Sequence, residues 1–137
     1  MLDTNACIAV MNERPAKVKT QLLNVPIETV GISAISLYEL KYGVYKSEHV
    51  LRNQKTLGAF CRYVQIHSWD EECADVAGQI RAELETAGKL IGPHDLLIAA
   101  HSIVIDATLV TANVREFKRV KKLNVVNWGG RTTRGED

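Results

Sequence analysis

The spacing of apolar residues predicts a chain that alternates between short strands and amphipathic helices. The clearest helix is expected over residues 70–87, where one apolar face recurs at helical spacing and Gly88 marks the end. Strands that alternate with helices form a parallel sheet with helices on both faces, so we predict an α/β fold. Further helices are predicted over 6–11, 15–23, 37–44, 51–63 and 114–120, and strands over 1–2, 29–32, 64–66, 108–111 and 124–126.

Residues 92–105 form the most apolar predicted helix and carry a first candidate for chemistry. Gly92 and Pro93 are typical of a helix start, and the residues after Asp95 are apolar on nearly every side. A carboxylate at the start of a buried helix is costly unless it is paired, hydrogen-bonded or bound to a metal ion. Two interpretations of Asp95 follow: it caps its own helix, or it belongs to a site.

Two other acids and one amide occupy positions near the ends of predicted strands. Asp3 directly follows the first strand, Asn113 follows the fourth, and Glu39 lies early in a predicted helix. The carboxyl ends of parallel strands meet at one edge of a sheet, where α/β proteins bind ligands. As alternatives, Asp3 is a plain helix cap and Glu39 completes a capping box with Ser36.

Three carboxylates that converge at this edge would repel one another and need a cation. Two carboxylates about 4 Å apart repel by roughly 4 kcal/mol at an effective dielectric constant near 20. Asp3, Glu39 and Asp95 offer hard oxygen atoms without cysteine or histidine, which favours Mg²⁺ or Mn²⁺ over zinc. A metal ion held there can activate a water and neutralise a phosphate, which predicts chemistry at phosphate groups.

Size and composition restrict the possible classes of protein. The chain has 137 residues and a net charge of +1, so we expect one domain without a global field that attracts nucleic acid or membrane. No apolar run approaches the about 20 residues of a membrane span, and the start lacks the features of a signal peptide. The three cysteines are odd in number and widely spaced, which predicts reduced thiols and a cytoplasmic protein.

A local basic run, rather than the net charge, offers a surface for a polyanion. It contains a single acid, Glu116, and consists of Arg115, Lys118, Arg119, Lys121 and Lys122. Beside a metal site, Arg115, Lys118 and Arg119 are expected to contact phosphates, with plain solvated surface as the alternative. Candidates for stacking on bases are Tyr38, Tyr42, Tyr45 and Phe117, and for Tyr42 and Tyr45 a core or interface role is the alternative.

Four segments, in order, resemble the PIN domain and most closely the VapC-type ribonuclease toxins of bacterial toxin–antitoxin pairs. They are Met-Leu-Asp-Thr-Asn at the start, Ser-Leu-Tyr-Glu-Leu at 36–40 followed by Tyr-Gly, Gly-Pro-His-Asp-Leu-Leu-Ile-Ala-Ala-His at 92–101, and Val-Thr-Ala-Asn-Val-Arg-Glu-Phe at 110–117. The resemblance implies one nuclease domain over residues 1–128. We expect residues 129–137 to form a flexible tail.

The resemblance implies a PIN-like three-layer α/β/α fold with a mostly parallel sheet of about five strands. It also implies a toxin that is a Mg²⁺-dependent endoribonuclease, with Mn²⁺ as a possible substitute, acting on structured RNA such as tRNA. Asp3, Glu39 and Asp95 would be the metal-binding acids, and Asn113 falls where many PIN domains place a fourth acid. The groups that orient these side chains would be Thr4, Asn5 and Thr111.

The same resemblance implies a cognate antitoxin of the VapB type. Homodimers or a heterocomplex with the antitoxin are expected, DNA would be contacted only through the antitoxin, and no membrane is involved. One alternative is a catalytically weak PIN scaffold that binds RNA or a partner, since Asn113 stands where many PIN domains have a fourth acid. A phosphohydrolase of the haloacid-dehalogenase type also has an acid after the first strand, but it needs a second acid where this chain has Asn5.

Overall fold

The computed structural model describes residues 1–129, which contain seven α-helices and four short β-strands. The helices are α1 (Thr4–Asn12), α2 (Ala16–Leu23), α3 (Ala34–Tyr45), α4 (Val50–Tyr63), α5 (Glu71–Thr86), α6 (Pro93–Val104) and α7 (Val114–Phe117). The strands are β1 (Gly31–Ser33), β2 (Gln65–His67), β3 (Leu109–Val110) and β4 (Val125–Val126). This order confirms the predicted α/β class.

The strands pair in parallel and meet around Leu2. β1 pairs with β2, and β3 pairs with β4. Leu2 joins the two pairs because it forms parallel bridges to Ile32 of β1 and to Val110 of β3. The Leu2 amide donates to the Gly31 carbonyl oxygen at 2.9 Å, and the Val110 amide donates to the Met1 carbonyl oxygen at 2.8 Å. The spatial order is therefore β2, β1, Leu2, β3, β4.

The predicted count of about five strands is too high for residues 1–129, which contain four. The first predicted strand contributes only the bridges of Leu2, because Asp3 already begins a helix as its cap. The strand predicted over 29–32 starts later, at Gly31, because Ile27–Thr29 forms a turn of 3₁₀ helix. The helix predicted over 114–120 is also shorter and ends at Phe117.

Helices cover both faces of the sheet and produce three layers. Neighbouring residues on a strand point to opposite faces, and the centre of this sheet follows that rule. Met1 and Leu109 belong to the core on the side of α5, α6 and α7, whereas Leu2 and Val110 belong to the core on the side of α1–α4. The three-layer arrangement predicted from the alternation of elements is confirmed.

The helices that frame the sheet edge begin and end as the sequence predicts. Gly92 is the N-cap of α6, and Pro93 is its first residue. Asp70 caps α5 by accepting a hydrogen bond of 3.1 Å from the Cys73 amide. Gly88, with a φ of 68°, provides the left-handed conformation that ends this helix.

Three sequence expectations concern features outside this framework. None of the helices within residues 1–129 combines the length and apolar character that a membrane crossing requires. The predicted flexible tail lies outside the described residues, apart from Gly129. The cysteines Cys7, Cys61 and Cys73 are free thiols, and Cys7 and Cys73 are buried.

Candidate active site

Asp3 lies at the centre of the sheet edge, directly after Leu2. Its Oδ1 accepts a hydrogen bond of 2.7 Å from the Ala6 amide, so Asp3 does cap α1. The residue is only 4% exposed, and this burial raises the pKa of its carboxyl. Hydrogen bonds from Thr111 and Ala6 oppose the rise in pKa, and the charge of Glu39 adds to it. Asp3 is therefore a helix cap and also a buried acid next to a second acid.

Glu39 contacts α1 and α6 instead of completing a capping box. Ser33 caps α3, whereas Ser36 lies inside the helix, and its buried hydroxyl has no hydrogen-bond partner among residues 1–129. The Thr4 hydroxyl donates to Oε1 of Glu39 at 2.5 Å, and Oε2 lies 3.1 Å from Nδ1 of His94. The capping-box interpretation of Glu39 is wrong, and its carboxylate instead links three helices at the sheet edge.

Asp95 is partly buried in the first turn of α6. Its side chain makes no capping hydrogen bond, since the N-cap is Gly92. Burial, together with the charges of Glu116, Asp3 and Glu39, raises the pKa of Asp95 to about 6, and the nearby His94 opposes the rise. A helix N-terminus normally stabilises a carboxylate, so the raised pKa reflects burial and crowding of negative charge. The interpretation of Asp95 as a plain cap is wrong.

Glu116 is a fourth carboxylate of the site, which the sequence analysis placed in a basic surface. Its Oε1 accepts from the Gly92 amide at 2.9 Å and its Oε2 from Nδ2 of Asn113 at 2.8 Å, and these hydrogen bonds lower its pKa. A Cβ atom added to Gly92 would lie 3.4 Å from Oδ2 of Asp95 and 3.8 Å from Oε1 of Glu116. The signal in the sequence was position, since Glu116 lies one turn into the helix that follows β3.

The predicted supporting residues divide into those that reach the acids and one that does not. Thr4 donates to Glu39, as described above, and Thr111 forms a side-chain hydrogen bond with Asp3. The Thr111 hydroxyl also accepts from the Asn113 amide at 2.9 Å. Asn5 is exposed and borders a cavity of about 150 Å³, and within residues 1–129 its side chain forms no hydrogen bond to the acids.

The four carboxylates supply the hard oxygen donors that Mg²⁺ and Mn²⁺ prefer. A divalent cation among them would offset the repulsion that raises the pKa of Asp95. As the side chains lie, no three histidine, cysteine, aspartate or glutamate residues within 1–129 form a group that could hold a metal ion. Glu39 is held by Thr4 and His94 instead, and Glu116 by Gly92. The chemistry and charge of the donors fit a divalent cation, which would take the place of some of these hydrogen bonds.

A groove of about 770 Å³ adjoins α7 and is called the basic groove here. Its floor includes the apolar residues Ile80, Leu84 and Val120. All three residues predicted to contact RNA border it, within the basic set Lys89, Arg115, Lys118, Arg119, Lys121 and Lys122. α7 and the turn after it therefore bring Glu116 to the acids and basic side chains to the groove.

The aromatic candidates for base stacking have different positions. Tyr38, Tyr42 and Tyr45 are 57%, 59% and 64% exposed on α3. Phe117 is fully buried in the core on the side of α5 and α6, so its predicted stacking role is wrong. Phe117 is the last residue of the four-residue α7, and the periodicity of so short a helix does not reveal which residue faces inward.

Comparison with known proteins assigns the chain to a family. A model of the PIN domain matches residues 1–123. The chain is 43% identical over 129 residues to ribonuclease VapC2 from Rickettsia felis. The matched region covers 93% of this chain and 96% of the relative. It is 38% identical over 128 residues to the tRNA(fMet)-specific endonuclease VapC from Shigella flexneri, with 93% and 96% covered.

Solved structures give the same assignment. The chain matches a crystal structure of VapBC2 from Rickettsia felis, bound to a DNA fragment from their promoter, with a TM-score of 0.87 and 43% identity over 93% of this chain and 97% of that chain. It matches DNA-bound VapBC from Salmonella typhimurium with a TM-score of 0.88 and 36% identity over 93% and 96%. The chain belongs to the PIN-domain family and, within it, to the VapC ribonucleases.

Proposed function

We propose that this protein is the Mg²⁺-dependent endoribonuclease toxin of a toxin–antitoxin pair and that structured RNA, above all tRNA, is its substrate. The observation that carries the proposal is the crowding of acids at one sheet edge, where burial and neighbouring charges raise the pKa of Asp95 to about 6. Such crowding is typical of a site that works with a bound cation. The name of the Shigella flexneri relative, a tRNA(fMet)-specific endonuclease, supports tRNA as the substrate class.

In the proposed mechanism, Asp3, Glu39 and Asp95 would hold Mg²⁺, for which Mn²⁺ could substitute. When bound, the cation would supply positive charge that lowers the pKa of a water and neutralises the phosphate. The chain supplies orientation, since the Ala6 amide fixes Asp3 and the Thr4 hydroxyl fixes Glu39. In the hydrolysis the water oxygen bonds to phosphorus, one phosphorus–oxygen bond to ribose breaks, and the released oxygen takes up a proton.

Asn113 and Glu116 complete the proposed site from the side of α7. The Asn113 amide nitrogen donates to Oε2 of Glu116, while the Gly92 amide donates to Oε1. These two hydrogen bonds lower the pKa of Glu116 next to Asp95 and thereby favour its charged form. We propose that Glu116 supplies the fourth negative charge of the site and that Asn113 acts by positioning it.

The RNA backbone is proposed to run along the basic groove. Arg115, Lys118 and Arg119 border this groove and follow directly in sequence from the acids. Contacts of this kind are independent of base sequence and weaken as salt rises. We propose that the nuclease domain comprises residues 1–128, and the match of the family model to residues 1–123 supports this extent.

The proposed partner is a cognate antitoxin of the VapB type that neutralises the toxin. The Rickettsia felis and Salmonella typhimurium structures, which are VapBC complexes with DNA, support such a partner. We propose that this chain forms homodimers or a heterocomplex with the antitoxin and reaches DNA only through it. The cytoplasm, where tRNA is found, is the proposed location.

The proposed function is tested by incubating the purified protein with bulk tRNA and with DNA. The reactions contain Mg²⁺ or EDTA and compare the wild type with Asp95→Asn and with the control Asp75→Asn, an exposed acid of α5. Discrete tRNA fragments that need both the metal and Asp95, and that Asp75→Asn still produces, are the expected result. Equal cleavage by Asp95→Asn, or cleavage in EDTA, would refute the proposed site.

A second candidate function is an RNA-binding or partner-binding module with weak or no catalysis. The observation that favours it is Asn113, a neutral residue at the position of an acid in many PIN domains, whose amide is engaged with Glu116. The two functions differ in metal binding, which isothermal titration with Mg²⁺ measures. Binding that disappears in Asp95→Asn supports the nuclease, and a chain that binds RNA but no Mg²⁺ supports the module.

A further inference from the structure

Three tyrosines form an exposed stripe along α3, called the tyrosine stripe here. Tyr38, Tyr42 and Tyr45 are spaced by four and three residues, so their side chains share one face of the helix. They are 57%, 59% and 64% exposed, whereas Ser36 and Leu40 of the same helix are buried. The stripe therefore contributes little to the core, and its rings are available to a ligand.

The tyrosine stripe begins at the acids of the active site. The ring of Tyr38 meets the ring of His94 edge to face, with 5.6 Å between centroids. His94 is in turn 3.1 Å from Oε2 of Glu39. Tyr38 is thus two contacts away from a catalytic acid, and a nucleotide whose phosphate lies at the acids would have its base, or the base of its neighbour, within reach of this ring.

The charges around the stripe fit a polyanion. The next charged side chains after Glu39 are basic, Lys41 in α3 and Lys46 directly after it, and the next acid along the chain is Glu48. Nζ of Lys46 lies 4.9 Å from the centroid of the Tyr42 ring. Aromatic rings interleaved with basic side chains are the combination with which proteins bind single-stranded nucleic acid, because the rings stack on bases and the cations meet phosphates.

A protein partner is the competing occupant, and a neighbouring apolar groove suits it better than the stripe does. An apolar groove of about 340 Å³ lies between α3 and α4 and is lined by residues that include Leu37, Val44, Leu57 and Ile66. Tyr45 borders this groove, whereas Tyr38 and Tyr42 lie outside it. The two tyrosines nearest the acids contact His94 and Lys46, which suits a polyanion better than the apolar core of a protein interface.

We propose that Tyr38 and Tyr42 form a platform on which unpaired bases of the RNA stack beside the bond that is cleaved. The proposal rests on the proposed function in that the ligand is RNA. Because only unpaired bases expose both faces to a ring, the platform selects single-stranded loops over duplexes. It also fixes the direction in which the strand leaves the acids.

The test uses the full chain with Asp95→Asn, so that RNA is bound without being cut. The probes are a single-stranded RNA of twelve nucleotides with a central 2-aminopurine and a duplex of the same sequence. Tyr38→Leu and Tyr42→Leu are each expected to weaken binding of the single strand by about 5- to 150-fold, the range measured for loss of one stacked base. Duplex affinity is expected to stay unchanged, because the charged contacts remain.

Two comparisons make the result specific. Tyr38→Phe keeps the ring and is expected to retain both affinity and the fluorescence change of 2-aminopurine. Tyr63→Leu is the matched control, because Tyr63 is 62% exposed at the end of α4 and lies outside the stripe. Leu variants of Tyr38 and Tyr42 that bind the single strand as tightly as Tyr63→Leu would refute the platform.

Cleavage by chains that retain Asp95 separates the two proposals. If the platform exists, Tyr38→Leu raises KM for tRNA by a similar factor, and Tyr38→Phe restores it. Normal KM in the leucine variants refutes the platform and leaves the nuclease in place. Single-strand binding that depends on Tyr38 in a chain that cuts no RNA supports the platform and refutes the nuclease, and a wild-type chain that neither binds nor cuts RNA refutes both.

Discussion

Asp95→Asn should stabilise the metal-free protein while it removes activity. The substitution keeps the shape of the side chain and removes one of the crowded negative charges. Burial and the neighbouring acids raise the pKa of Asp95 from 3.8 to about 6, so the ionised form is disfavoured in the folded protein. A shift of about two pKa units corresponds to about 3 kcal/mol, which is an upper limit for the cost at neutral pH.

Screening by water and relaxation of the partly buried side chain reduce that cost. We expect a gain of about 1–2 kcal/mol for Asp95→Asn at pH 7.5 in EDTA, which corresponds to an increase in Tm of about 3–8 °C for a domain of this size. The gain depends on pH, because an acid with a raised folded pKa destabilises the fold only once it ionises. The difference between the variant and the wild type should therefore be small at pH 4 and complete above pH 7.

Thermal unfolding of the wild type, Asp95→Asn and Asp75→Asn measures this difference. Asp75 is an exposed acid of α5, and its substitution should change stability by less than about 0.5 kcal/mol. Mg²⁺ should then raise the Tm of the wild type and of Asp75→Asn but not that of Asp95→Asn, since only the intact site binds the ion. Equal stability of Asp95→Asn and the wild type in EDTA at pH 7.5 would refute the argument from charge crowding.

Three further predictions concern other parts of the molecule. Ile98→Ala should lower the free energy of unfolding by about 2–5 kcal/mol in urea titrations, because Ile98 of α6 is fully buried in the hydrophobic core. Thr4→Val should lower kcat for tRNA cleavage by roughly tenfold with little change in Tm, because it removes the hydroxyl that fixes Glu39. Burial lowers the pKa of His101, so the unfolded chain takes up a proton that the fold excludes, and stability should fall below about pH 6.5 by up to about 1.4 kcal/mol per pH unit. Urea unfolding of His101→Asn at pH 7.5 and 5.5 should show a smaller loss of stability than the wild type, and an equal loss would contradict the prediction.

Local signals made the helix boundaries predictable. Asp70, Gly88 and the Gly92–Pro93 pair act through the backbone of their own neighbours, so their effect is readable from a few consecutive residues. The position of Ser33, rather than Ser36, as the cap of α3 was not readable in this way. Ser33 accepts from a nearby amide but also contacts Nδ1 of His101 at 2.7 Å, and a partner 68 residues away leaves no trace in local spacing.

The candidate site was predictable where an acid stood out from apolar surroundings. Asp3 directly follows the apolar pair at the start and Asp95 directly precedes an apolar run, and the structure brings both to one edge, as the rule for parallel sheets requires. Glu116 was missed for the opposite reason, because it stands among lysines and arginines, where a carboxylate looks like part of a solvated surface. The hydrogen bond from the Gly92 amide at the start of α6 shows that the Glu116 carboxylate faces the site.

The missed residue explains how one short helix serves two purposes. α7 has only four residues, so its side chains spread around a full turn and reach opposite environments within a few ångströms of backbone. Glu116 contacts the start of α6 on one side, Arg115 and the residues after α7 border the basic groove on another, and Phe117 enters the core. The buried phenyl ring of Phe117 fixes the rotation of α7. It thereby fixes the directions in which the Glu116 carboxylate and the basic side chains point. A substitution that weakens the packing of Phe117 should therefore disturb the active site and the basic groove together, although it touches neither.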